Sequence, residues 1–334
     1  MTGKTEKRMK KTETGQMDWY PTKSPKKKKK KSDHLVLILF CGFLVCCLMV
    51  YEAGAVRSRS LVTEKQTVFS NKLLNQAEIL LLSDLHSDSF GRDNEDLLSA
   101  VKKEAEIAEI IVLAGDIIDD QDSDPENELD FCKKLTEIKP VYFSPGNSEL
   151  ARDDWPKIQE DLEEMGISVL DRKAVRISLN GNDVLIGGLY DYSFALNGKD
   201  TVEEESMDPQ TLAFLHKMKE APGFKLVISH RPDSFWLNQS GNYWDLDLVL
   251  SGHTHGGQVI IPGVGGLWAP DQGWFPEACG GLVFNEDLPV VISAGLSSGK
   301  QKLPRWNNPA TITLISLQTD RFARQEFSKN RSLF

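Results

Sequence analysis

The chain has 334 residues, 40% hydrophobic and 26% charged, a balance that excludes a disordered, collagenous or many-span membrane protein. Five cysteines are too few for a disulfide scaffold. The net charge of −10 hides a basic head, with twelve Lys/Arg against four Asp/Glu in residues 1–33, on a body of net −18. Such a body is poorly matched to duplex nucleic acid, whose phosphates need a basic surface, and this counts against a nuclease.

The head contains an unbroken lysine run, Lys26 to Lys31. Taken alone, it would be a solvated tail or a nuclear address. It is followed by seventeen uncharged residues, Leu35 to Tyr51, which at ~1.5 Å per residue reach about 25 Å. Residues 1–34 therefore read as a basic cytoplasmic tail and 35–51 as a transmembrane anchor. Only Arg57 and Arg59 follow the span closely, so the positive-inside rule places the rest of the chain on the other side of a cell membrane. Ala53-Gly54-Ala55 has the small-x-small pattern of a cleavage site, but the long basic head favours an uncleaved anchor. Cys41, Cys46 and Cys47 read as ordinary apolar helix residues, and residues 52–75 as a polar linker.

From residue 76 short apolar runs alternate with amphipathic stretches. EILLLSD (78–84), EIIVLAGD (109–116) and PVYFSPGN (140–147) read as strands. Between and after them, 94–107, 126–138 and 155–165 read as helices, the β-α-β-α signature of a sheet covered by helices. ISVL, AVRISL and DVLIGGL are closely spaced around turn residues such as Asn180-Gly181, which predicts an antiparallel part. FKLVISH (224–230) and LDLVLSGH (246–253) restore the first pattern. The tail adds QVII, GLVF, PVVISAG and ATITLISL, and a second strand-rich sheet packed on the first is expected. The body is taken as 76–320, followed by a tail, 321–334.

Metal-ligand chemistry collects where these runs end: Asp84 and His86, Asp116, Asn147, His230, then His253 and His255. The carboxyl ends of parallel strands share one edge, where ligands bind. Four of the six histidines fall in this set; His34 and His216 need no function. A closed structural zinc site needs about four ligands, usually with cysteine, and no cysteine is present here. Seven mixed carboxylate, imidazole and amide ligands suit two metals with open positions, with central Asp116 able to bridge them. Their softness fits manganese, iron or zinc.

Five blocks in this order, SDLH (83–86), GDIID (115–119), GNSE (146–149), SH (229–230) and GHTHGG (252–257), resemble those of the calcineurin-like metallophosphoesterases over about residues 78–317. GGQVIIPGVGGLWAP (256–270) and LPRWNNPATITLISL (303–317) are similar to the YkuE/YaeI-type branch, typically bacterial and often membrane-associated. The resemblance implies a four-layer α/β/β/α sandwich of two mixed sheets. It implies one divalent metal ion on Asp84, His86, Asp116 and His255, a second on Asp116, Asn147, His230 and His253, and a metal-activated hydroxide that attacks phosphorus. Asp119 matches a position that supports the site from behind its ligands. The implied substrates are phosphodiester or pyrophosphate compounds, lipid-linked or cell-envelope ones among them. Ser148 stands where the family usually has the histidine that protonates the leaving group, and serine is a poor acid at neutral pH. Arg231 could supply positive charge to a phosphate oxygen instead. The competing reading is a metal-binding relative that has lost catalysis.

Overall fold

Residues 7–21, 31–189, 202–236, 243–297 and 303–319 are described by a computed structural model of the chain. The lysines at 26–30 and the tail 321–334 lie outside the described residues, together with the expectations placed on them. The chain divides into two units, Met1–Glu52 and Ala53–Phe334. In the first, Lys7–Lys11 pairs antiparallel with Met17–Pro21. A helix, α1 (Lys31–Ser58), follows. Its segment His34–Ser58 is long and apolar enough to cross a membrane, with a window of mean hydropathy 2.6 and none of that window buried. The helix outruns the expected 35–51 because Glu52 to Ser58 contains good helix formers and no proline.

The second unit holds two six-stranded sheets. The first is built from β1 (Leu61–Ser70), β2 (Ala77–Leu82), β3 (Ile110–Leu113), β4 (Val141–Phe143), β5 (Ser168–Val169) and, from the far end of the chain, β12 (Ala310–Thr319). Its order is β1-β12-β2-β3-β4-β5, with β2 to β5 parallel and β12 antiparallel to β2. The second comprises β6 (Lys173–Leu179), β7 (Asn182–Leu189), β8 (Phe224–Ser229), β9 (Leu248–Ser251), β10 (Gly281–Asn285) and β11 (Leu288–Ile292). Its order is β10-β11-β9-β8-β7-β6, with β7, β8, β9 and β11 parallel and an antiparallel strand at each edge.

Side-chain alternation along the strands makes the layers. On β2, Leu80 and Leu82 face Leu97, Val101, Phe131 and Leu135 of α2 (Glu95–Glu104) and α3 (Glu126–Thr136), and Ile158 and Leu162 of α4 (Trp155–Glu164) join the same core. Ile79 and Leu81 point the other way, into a second core with Ile186, Leu226, Ile228 and Leu250 of the opposite sheet. Val227, Val249 and Val290 pack on Phe214, Leu215 and Met218 of α5 (Pro209–Glu220). The result is the four-layer α/β/β/α sandwich. Each central strand is covered on both faces, which is why it reads as an unbroken apolar run.

Three details differ from the sequence reading. Within the expected linker, β1 pairs with β12 over ten residues, Leu61 with Ala310 through Ser70 with Thr319. It is an edge strand, and its Glu64, Lys65 and Gln66 are tolerated there because one side of the ladder stays open to solvent. ISVL contributes β5, parallel to β4, rather than joining the antiparallel set, because α4 returns the chain to the same edge before it. QVII yields only a two-residue strand, Ile260–Ile261, because Pro262 and Gly263 turn the chain. The β6–β7 hairpin turns at Asn180-Gly181, with φ of 44° and 79°, as that dipeptide favours.

Candidate metal centre

The loops leaving β2, β3, β4, β8 and β9 meet at one edge of the sandwich. They are stitched backbone to backbone: Asp84 N–H donates to Gly115 O (3.0 Å), His86 N–H to Asp116 O (3.0 Å), Ser297 N–H to Asp84 O (2.8 Å) and Gly252 N–H to His230 O (3.0 Å). Five of the seven expected ligands, Asp84, His86, Asp116, His253 and His255, have φ between 47° and 69°. That left-handed region is unfavourable for such residues and persists only where the surroundings over-determine it. The close approach fixes Gly115: a Cβ there would meet the Gly146 backbone and the His230 ring at under 3 Å.

Two groups of metal-ligating atoms result. Asp84, His86 and His255 form one, and Asp116, His230 and His253 the other, each with ligand atoms within 4.8 Å of one another. Asp116 joins them: its Oδ2 lies 3.4 Å from His86 Nε2, 3.3 Å from His230 Nε2 and 3.3 Å from Asn147 Nδ2. Its Oδ1 accepts from Ser148 N–H at 2.8 Å. All seven residues are thus brought to one place. Among the described residues, buried His86 Nε2, His230 Nε2, His253 Nδ1 and Asn147 Oδ1 have no hydrogen-bond partner. Four orphaned lone-pair atoms converging on buried carboxylates fit cations, since leaving them bare in a packed interior is costly.

The outward nitrogens of the histidines are held. His230 Nδ1 meets Ala114 O at 2.7 Å, His255 Nδ1 meets Ser297 O at 2.9 Å, and His253 Nε2 meets Asp271 Oδ2 at 2.6 Å. A carbonyl or carboxylate behind each ring selects the tautomer that leaves the other nitrogen as an acceptor for a metal. His86 Nδ1 lies 3.8 Å from Asp119 Oδ2, which puts Asp119 behind a ligand. Arg231 Nη1 is 3.5 Å from Asp271 Oδ2.

Electrostatics follow from burial and proximity. Burial resists charge on Asp116, but His230 and His86 beside it hold its carboxyl far below the usual range. Burial likewise resists charge on His230, and the Asp116 carboxylate overrides it, raising the imidazole to about 10. His255 is pushed down to about 4 by burial, against the pull of Asp84 and with the push of His86.

Three residues that hold this arrangement were missed by sequence reasoning. Buried Glu149 accepts from four backbone N–H groups, those of Asp116 (2.9 Å), Ile117 (2.7 Å), Ile118 (3.0 Å) and Gly146 (2.8 Å), and so locks the loop after β3 onto the loop after β4. Burial and nearby Asp116 push its carboxyl up, and those N–H donors pull it down. Arg305 donates to the carbonyls of Ala294 and Ser297 (2.9 Å each) and Pro309 (2.7 Å), fixing the oxygen that orients His255. Asp271 orients His253. Glu149 and Arg305 stood inside the quoted GNSE and LPRWNNP blocks, and Asp271 is the only charge between His255 and Glu277. Beside the centre, His86, Asp119, Asp120, Gln121, Asn147, Ser148 and Ala151 line a cavity of about 290 Å³.

Comparison with known proteins agrees with this geometry. The calcineurin-like phosphoesterase family matches residues 77–257, more than half of the chain. The metallophosphoesterase YkoQ of Bacillus subtilis is 29% identical over 267 residues, 78% of this chain and 90% of YkoQ. The phosphodiesterase YaeI of Escherichia coli is 27% identical over 58% of this chain and 66% of its own length. A bovine transmembrane protein with a metallophosphoesterase domain is 25% identical over 56% of this chain, and the match spans 42% of that protein.

Proposed function

The chain belongs to the calcineurin-like phosphoesterase family, and from that premise we propose that it is a membrane-anchored hydrolase of phosphodiester or pyrophosphate bonds working with two divalent metal ions. The observation that carries this reading is Asp116 Oδ2, set 3.4 Å from His86 Nε2 and 3.3 Å from His230 Nε2 between the two ligand groups. Asp84, His86 and His255 would hold one ion, His230, His253 and Asn147 the other, and Asp116 both. Manganese, iron and zinc suit these donors. Bound there, two ions would draw charge from phosphoryl oxygens and lower the pKa of water. The protein's own residues do the rest. Asp116, set between the two ligand groups, would serve both ions, and Asp271, Ala114 O and Ser297 O keep three imidazoles aimed. Hydrolysis of bis(p-nitrophenyl) phosphate by the full chain in detergent should vanish on chelation and return with manganese. Absence of turnover with manganese, iron and zinc alike would overturn the reading.

The anchor is α1. Apolar side chains such as Leu37, Ile38, Leu39 and Phe40 are more than half exposed along it, which suits lipid and not water. The twelve basic residues ahead of its apolar span from Leu35 set the head in the cytoplasm and the catalytic body on the opposite face. Protease added outside sealed, right-side-out vesicles should digest the body; full protection until lysis would reverse the orientation.

A further inference from the structure

The segment between His255 and Glu277 folds into two small antiparallel hairpins, Ile260–Ile261 with Gly265–Gly266 and Trp268–Ala269 with Trp274–Gly273. It exposes Val264 (63%), Trp274 (53%) and Phe275 (60%), large apolar side chains on a body of net −18. A single apolar residue on a surface needs no explanation; three on one segment with one charge in 21 residues do.

Two sets of contacts say what this segment faces. At its base, Ile260 N–H donates to Trp306 O (2.9 Å) and Asn307 Nδ2 to Ile260 O (2.9 Å). The same short stretch receives the end of α1: Asn307 N–H donates to Gly54 O (3.1 Å), Asn308 N–H to Ser58 Oγ (3.3 Å), and the Trp306 indole lies so close over Gly54 that a Cβ there would collide with it. The hairpins therefore stand on the residues that grip the last turns of the apolar helix. On their other side they close on the metal centre. Leu267 N–H donates to Gly257 O (3.1 Å), just past His255, and Asp271, in the turn between Trp268 and Trp274, reaches His253.

We propose that these hairpins seat in the headgroup boundary of the bilayer that α1 spans, with Trp274, Phe275 and Val264 dipping into it, so that the metal centre is presented to phosphate esters carried on lipid. The inference rests on the anchored phosphoesterase reading above. The occupant is a bilayer because the base of the hairpins shares the 306–308 stretch with Gly54 and Ser58, where α1 ends, and because tryptophan and phenylalanine are the residues that favour that boundary. With Asp271 turned to His253, the contact is apolar, so it should form on zwitterionic lipid and be insensitive to salt.

The test uses the full chain reconstituted in phosphatidylcholine vesicles with bromine-labelled acyl chains. Wild-type tryptophan fluorescence should be quenched more than that of Trp274→Phe, at low and high salt alike. Trp274→Glu and Phe275→Glu should each lower turnover of a p-nitrophenyl diester carried on a diacylglycerol about tenfold, as expected for losing one buried aromatic contact, and leave soluble bis(p-nitrophenyl) phosphate unchanged. Equal quenching in wild type and Trp274→Phe overturns the proposal. So does a self-association in detergent that the glutamate variants abolish while quenching is unaffected, since the patch would then belong to a second copy. If no variant cleaves the soluble diester, the phosphoesterase reading fails, and quenching alone decides the docking.

Discussion

Asp116→Asn is expected to empty the centre of metal and to lower phosphodiester turnover by at least about 10³-fold. Among the described residues, Asp116 is the one side chain within 3.4 Å of imidazoles in both ligand groups, so its loss would weaken both proposed ions and not one. The substitution is close to isosteric. An asparagine retains the oxygen that accepts from Ser148 N–H, and the stitched loops around it do not depend on its charge. A folded but metal-poor protein is the predicted product, recognisable by an unchanged circular dichroism spectrum and a reduced metal content by mass spectrometry. Replacing His86 or His255 should cost less, because only the first group is touched. Asp271→Asn should cost less again, roughly 10- to 100-fold in metal affinity, because Asp271 acts through His253. Near wild-type turnover with full metal loading in Asp116→Asn would refute the shared role of this carboxylate.

Why the ligands could be found in the sequence, and other features could not, has a physical basis. Parallel strands buried on both faces must be continuous apolar runs, so Ile79–Leu82, Ile110–Leu113 and Leu248–Ser251 declare themselves. The first polar residues after such runs lie at a common edge, which is why Asp84, Asp116, His230 and His253 could be grouped across about 170 residues. The edge strand Leu61–Ser70 left no such trace. Its order comes from a partner some 250 residues later, Ala310–Thr319, and no local pattern reports a pairing that distant. Glu149, Asp271 and Arg305 were hidden for another reason. They act through geometry, one on four N–H groups, one on a single imidazole and one on carbonyl oxygens, and a charged residue in a loop normally reads as solvated.

The wild-type protein is expected to cleave aryl phosphodiesters about 10²- to 10⁴-fold faster than simple alkyl ones, the worth of a positioned proton donor. Ser148 is buried beside the centre, with its N–H on Asp116 Oδ1 at 2.8 Å, and it lines the cavity with Asp119 and Asp120. The residues around that cavity are poor proton donors. Serine is too weak an acid, glutamine and asparagine amides are not acids, and His86 belongs to the proposed ligand set. An alkoxide must be protonated as it leaves, whereas a nitrophenolate departs unaided. A pyrophosphate bond also releases a stable anion, but Asp119 and Asp120 would oppose its charge, so the aryl diester is the sharper probe. Ser148→His should raise alkyl turnover toward aryl turnover while changing the latter little, because the added imidazole matters only where a proton is needed. Rates for paired aryl and alkyl diesters, measured with the same metal across pH 6 to 9, decide the matter. If the wild type already cleaves both at similar rates, the proton comes from another group, Ser148 serves only to shape the cavity, and a histidine placed there should then crowd the cavity and slow both substrates alike.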